Sequence, residues 1–124
     1  MPRCVISILV VAAAVSTAFD PAQAATCEVH RRPLVFASDA DVDMFVKSGK
    51  DCRVKFSGPE RFKVESNEIV ARPHYGGVRV DTVSSVYYRS NPGYRGQDRF
   101  SFMLCGMEAG KRGCSTVRVK VSVR

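Results

Sequence analysis

Tyr88-Arg89-Ser90-Asn91-Pro92-Gly93-Tyr94-Arg95-Gly96-Gln97-Asp98-Arg99-Phe100-Ser101-Phe102 is the stretch whose reading decides the fold. Tyr88 to Ser90 reads as the end of a strand, and Asn91-Pro92-Gly93 as a turn. Gly96 marks a second turn, and Phe100-Ser101-Phe102 opens a strand with aromatic residues at alternate positions. Gly93 and Gly96 permit turn conformations that other residues resist. Phe100 and Phe102 are large enough to fill a core, and Asp98 is placed to accept backbone N–H bonds from the preceding turn.

Working outward, Val117, Val119, Val121 and Val123 alternate with Arg118, Lys120, Ser122 and Arg124. That is the period of a half-buried strand. Phe100 to Leu104 alternates in the same way, and Gly106 to Gly113 between them, with three glycines and three charged residues, reads as a surface hairpin loop. Upstream, Val78-Arg79-Val80 and Val83 to Tyr88 form short strands around Asp81-Thr82. Phe62 to Val64, Ile69-Val70 and Cys52 to Phe56 are further candidates. Short strands with regular turn signals predict an all-β antiparallel sandwich. Residues 39–48 are the exception, predicting one short helix. Ser38 is placed to cap it, Val42, Phe45 and Val46 follow helical spacing, and Gly49 can stop it. Asp41 to Phe45 also reads in strand alternation.

The Tyr88–Phe102 stretch, with Tyr88, Pro92, Gly93, Tyr94, Gly96, Asp98, Phe100 and Phe102 as its marks, resembles the signature of bacterial Ig-like, cadherin-like domains. Pro73-His74-Tyr75-Gly76-Gly77-Val78 resembles a second turn of that family, and the likeness spans Phe62 to the C terminus. It departs at Ser90, where proline is usual, and at Phe102, where tyrosine is common. The resemblance implies an Ig-like β-sandwich and a bacterial surface or secreted setting, and it carries no catalytic residues.

The ends support export. Val5 to Val15 is apolar except for Ser7, and Ala22-Gln23-Ala24 has the small-x-small cleavage pattern, so residues 1–24 read as a Sec-type signal peptide. Lipid attachment at Cys27 is disfavoured because Ala24-Ala25-Thr26 precedes it. Cleavage of 24 from 124 residues leaves 100, which suits a single domain over residues 25–124. The expected location is periplasmic or secreted.

Four cysteines then remain: Cys27, Cys52, Cys105 and Cys114. An exported domain of this size predicts two disulfides, with three possible connectivities. Cys52 shares the parity of inward Val54 and Phe56, and Cys27 that of Val29. Cys105 and Cys114 alternate out of phase with their apolar neighbours. Parity therefore selects Cys27–Cys52 and Cys105–Cys114. Zinc is disfavoured, since no Cys-x-x-Cys pair occurs.

No cofactor or metal is expected. Asp39-Ala40-Asp41-Val42-Asp43 opens like a calcium loop, but Met44 stands where glycine is needed and Lys50 where glutamate belongs. His30 and His74 lack any accompanying nucleophile motif. The expectation is a non-catalytic binding module.

Subtracting Arg3 and Asp20 from 19 basic and 12 acidic residues leaves 18 and 11, a net charge of +7. Arg53, Lys55, Arg79, Arg118, Lys120 and Arg124 all alternate with inward apolar residues. Neighbouring strands would merge them into a basic stripe flanked by Tyr87, Tyr94 and Arg95. Such a stripe suits an anionic polysaccharide, lipopolysaccharide or an acidic protein, with nucleic acid a lesser partner. Two alternatives are a secreted enzyme inhibitor using loop 106–113, clamped by Cys105–Cys114, and a structural subunit of a surface assembly.

Overall fold

Alternating valines make the centre of the molecule. The computed structural model describes residues 25–56 and 62–124, so the signal peptide predicted over residues 1–24 lies outside the described residues. Eight strands follow one another: β1 (Cys27–Arg31), β2 (Ala40–Val46), β3 (Asp51–Lys55), β4 (Phe62–Ala71), β5 (Gly76–Thr82), β6 (Ser85–Ser90), β7 (Gly96–Glu108) and β8 (Lys111–Val123). They form a five-stranded sheet in the order β1-β2-β8-β7-β4 and a three-stranded sheet in the order β3-β6-β5. Strand β8 lies in the middle of the larger sheet, and its four valines, 117 to 123, are all buried. Fully burying such a side chain stabilises by about 1.5–3 kcal/mol.

The two sheets face each other as a sandwich. Val42, Met44 and Val46 of β2 and Phe100, Phe102 and Leu104 of β7 extend the inner face of the larger sheet. Cys52, Val54, Val86 and Tyr88 answer from the smaller one. Tyr88 stacks on Phe100 with ring centroids 5.6 Å apart, and Phe56 meets Phe102 at 6.2 Å. Cys27–Cys52 ties β1 to β3 and so staples the sheets together (Cα–Cα 5.2 Å). Cys105–Cys114 joins directly opposed residues of β7 and β8. These are the pairs that the parity argument selects.

The predicted helix over residues 39–48 is instead β2. Val42, Phe45 and Val46 satisfy a helical period, but Val42, Met44 and Val46 also satisfy a period of two. The second arrangement buries all three at 2% exposure or less while Asp41 and Asp43 face water. A seven-residue parallel ladder with β8, from Ala40↔Val117 to Val46↔Val123, supplies the backbone partners. Tertiary pairing overrides local preference here.

The predicted loop over residues 106–113 is also corrected. The β7–β8 ladder continues through Glu108↔Lys111, leaving only Ala109 and Gly110 as the turn, at φ 49° and 77°. Two successive positive φ values are what a tight two-residue hairpin requires. Gly106 and Gly113 serve close packing rather than a loose loop. A Cβ on Gly106 would collide with the Lys63 carbonyl oxygen, and one on Gly113 would lie 2.7 Å from the Phe36 ring.

Two shorter predictions also change. Phe62–Val64 and Ile69–Val70 belong to a single strand, β4, broken by register shifts at Val64/Ser66 and Ile69/Ala71. The β5–β6 turn falls at Val83–Ser84 rather than at Asp81–Thr82.

Candidate functional site

Asp98 organises one end of the sandwich. It is 7% exposed, on the inward parity of β7, and its carboxylate receives four hydrogen bonds. Oδ1 accepts from the backbone N–H groups of His74 (3.0 Å) and Arg99 (2.9 Å). Oδ2 accepts from the Tyr75 N–H (3.1 Å) and the Tyr88 hydroxyl (2.9 Å). Two of the four donors belong to the crossover from β4 to β5, so Asp98 fixes where His74 and Tyr75 emerge. Burial, and then the bond to Asp98, push the Tyr88 hydroxyl well above the ordinary tyrosine range.

The same turn region carries a second aromatic pair. Tyr94 N–H donates to the Asn91 carbonyl (3.1 Å) across Pro92-Gly93, with Gly93 at φ 81°. The Tyr94 hydroxyl donates to the Gln97 carbonyl, folding its ring beside Gly96. Tyr75 stacks on it, centroids 4.3 Å apart and planes within 7°. The Asn91 N–H donates to the Tyr75 carbonyl at 2.8 Å.

The six candidate polyanion-binding residues divide between the two outer faces of the sandwich. Arg53, Lys55 and Arg79 lie on the three-stranded sheet, and Arg118, Lys120 and Arg124 follow β8 on the other. No single stripe joins them.

On the smaller sheet Arg53, Tyr87 and Arg79 make one row across β3, β6 and β5, with guanidinium carbons 5.9 and 4.5 Å from the Tyr87 ring centre. Their charge is locally answered: Arg53 lies 3.6 Å from Asp81, Arg79 3.6 Å from Asp51, and Arg89 2.8 Å from Asp51. Burial acts to raise the Asp51 carboxyl. The Arg89 hydrogen bond and the two arginine charges outweigh it and hold that carboxyl below its ordinary value.

The larger sheet is different. Arg118 makes a forked contact with Asp41, Nε to Oδ1 at 2.9 Å and Nη2 to Oδ2 at 3.3 Å. That hydrogen bond lowers the Asp41 pKa and raises that of Arg118. Arg124 reaches Glu28 only at 4.0 Å. Next along the sheet, Arg99 and Lys120 are direct cross-strand partners. Like charges placed opposite each other destabilise a sheet. Among the described residues neither has a carboxylate oxygen within the 4.0 Å of an ion pair. Asp43 flanks Lys120 on β2 in register without reaching it.

Two concavities meet at that pair. One, of about 650 Å³, runs over the outer face between Asp41, Asp43 and Arg118 on one side and Arg72 and Ser101 on the other. The second, of about 410 Å³, lies toward Tyr75 and Gln97. His74, Arg99 and Lys120 border both.

Sequence reasoning identified Lys120 and Arg118 but missed Arg99, Arg72 and Tyr75. Arg99 was legible in principle, since it alternates with Phe100 and Phe102. Its opposition to Lys120 needed the register of β7 on β8. Tyr94, which the sequence predicts at the flank of the stripe, instead supports Tyr75. His30 sits apart on β1, 2.7 Å from Glu28, with its ring edge-on to Phe45.

The described residues thus form an all-β sandwich carrying two disulfides, a combination that belongs to an oxidising compartment outside the cytoplasm. No described helix is long and apolar enough to cross a membrane. Comparison with known proteins gives no matching family model and no matching curated protein.

Proposed function

We propose that this chain is an exported, non-catalytic interaction module of Ig-like, cadherin-like type, working in the periplasm or the extracellular space of a bacterium. Its working surface is the outer face of the five-stranded sheet, and its partner is an anionic polymer of the envelope or surroundings. The observation that carries this reading is the Arg99–Lys120 pair. Two cations held side by side without a carboxylate in ion-pair range are relieved by an incoming anion. They stand where two concavities join, so an extended ligand can contact both hollows. The arginines of the smaller sheet already have partners and make the weaker candidate.

The test is retention of the processed protein on immobilised anionic polysaccharide across a salt series. Strong retention at low salt should fall steeply as salt rises, because binding releases condensed counterions. Charge reversal of Arg99 and Lys120 together should abolish retention and flatten the salt slope. Unchanged retention in that double variant would overturn the assignment of the face.

A second reading rests on the β7–β8 hairpin. Its ladder is cross-linked at Cys105–Cys114 and ends in a two-residue turn followed by exposed Lys111 and Arg112. A rigid ribbon of this kind loses little entropy on docking and suits a protein partner such as an enzyme to be inhibited.

A further inference from the structure

We infer that the anionic polymer is a carboxylated polysaccharide, with Tyr75 as the platform for a pyranose ring and Arg99 with Lys120 as the grip on its carboxylate. The inference rests on the polyanion-binding face proposed above and names the chemistry that the face selects.

Tyr75 is 47% exposed although almost everything about it is fixed. Its N–H is held by Asp98, its carbonyl by Asn91, and one ring face by Tyr94. A tyrosine that served only to fill space would not need to be both rigid and open. The electron-rich face of an aromatic ring attracts positively polarised edges. The axial C–H groups of a pyranose present such an edge, flat and of matching size. Tyr75 borders the smaller concavity together with Arg99 and Lys120, so a ring lying on it has both cations within the same hollow.

The larger concavity argues for sugar over phosphodiester. Asp41 and Asp43 line it beside Arg118 and Lys120. Carboxylates repel any polyanion, and a phosphodiester backbone offers them few hydroxyl donors in return. They accept hydrogen bonds from sugar hydroxyls, which uronate rings offer in number for each single charge. An array of cations, carboxylates and Ser101 therefore matches a polyol that also carries negative charge.

The experiment measures binding of the processed protein to polygalacturonate, alginate and hyaluronate. Polyphosphate serves as charge without rings, and a single-stranded oligonucleotide as charge with stacking bases. At least one uronate polymer should bind more tightly than polyphosphate. Tyr75→Ala should weaken that binding roughly tenfold, the scale of a lost stacking contact, and leave polyphosphate binding unchanged. Tyr75→Phe should retain it. Tyr75→Leu keeps apolar cover over Tyr94 and should behave like the alanine variant, which separates loss of the platform from loss of fold. Arg99→Gln with Lys120→Gln should weaken every polyanion. If Tyr75→Ala and Tyr75→Leu leave uronate binding intact, the sugar inference fails while the charged face stands. The inference also fails if the oligonucleotide binds best and responds to the tyrosine variants. Failure of all five probes to bind overturns the polyanion-binding reading along with it.

Discussion

Replacing Asp98 by alanine deprives four donors of one acceptor, and its cost follows from where those donors sit. A hydrogen bond to a charged group is worth about 1.5–3 kcal/mol, but four bonds sharing one carboxylate do not add. The His74, Tyr75 and Arg99 N–H groups lie in part-buried surroundings and can recruit water. The Tyr88 hydroxyl is sealed in the core at 0% exposure and cannot. We expect Asp98→Ala to cost about 3–5 kcal/mol, in the range of a broken buried network. At about 4–8 °C per kcal/mol for a domain near 100 residues, the melting temperature falls by roughly 20 °C. Tyr88→Phe in the native background removes one partner and should cost about 1–2 kcal/mol. In the Asp98→Ala background the same change deletes an orphaned buried donor, so it should be neutral or stabilising. Guanidinium denaturation followed by far-UV circular dichroism reads all four proteins of the cycle. Tyr88→Phe costing the same in both backgrounds would refute the account, because the hydroxyl would then owe nothing to Asp98.

Two further outcomes follow from the same structure. The Tyr88 hydroxyl keeps its proton in the folded state at pH values where the unfolded chain has lost it, so stability is full below about pH 10 and declines above. The decline approaches about 1.4 kcal/mol per pH unit for this group; denaturation midpoints between pH 9 and 11.5 measure it, and an equally steep decline in Tyr88→Phe would count against it. Gly106→Ala puts a Cβ against the Lys63 carbonyl oxygen and should destabilise by more than about 2 kcal/mol through displacement of β4 from β7. Hydrogen exchange should show that loss concentrated in the β4 amides, and uniform protection equal to the parent would contradict it.

The period-two valines of β8 and the alternating aromatics of β7 announced themselves in the sequence, because strand parity is a local property. The same parity selected the cysteine pairs: Cys52 travels with the core residues and Cys105 against them. Residues 39–48 were ambiguous for a reason equally local. Val42, Phe45 and Val46 fit one period, Val42, Met44 and Val46 the other, and aspartates at 39, 41 and 43 suit a helix start as well as a solvent-facing strand edge. Gly106, Gly110 and Gly113 looked alike in sequence, yet only Gly110 serves the turn, while the other two admit neighbouring groups at close range.

The candidate site lay further beyond reach. Asp41 meets Arg118 across 77 positions of chain, and Tyr75 meets Tyr94 only after the β4–β5 crossover has been tied to Asp98. Arg53, Lys55 and Arg79 look equivalent to Arg118, Lys120 and Arg124 when read as alternation, but they face the opposite side of the sandwich. By itself the sequence determined the all-β class, the inward and outward parity of β7 and β8 and the covalent pairing, since each depends on neighbours a few residues apart. Only the tertiary structure decided sheet membership, the parallel β2–β8 ladder and the opposition of Arg99 to Lys120. Those depend on register between distant segments, where a shift of one residue turns every side chain to the other face.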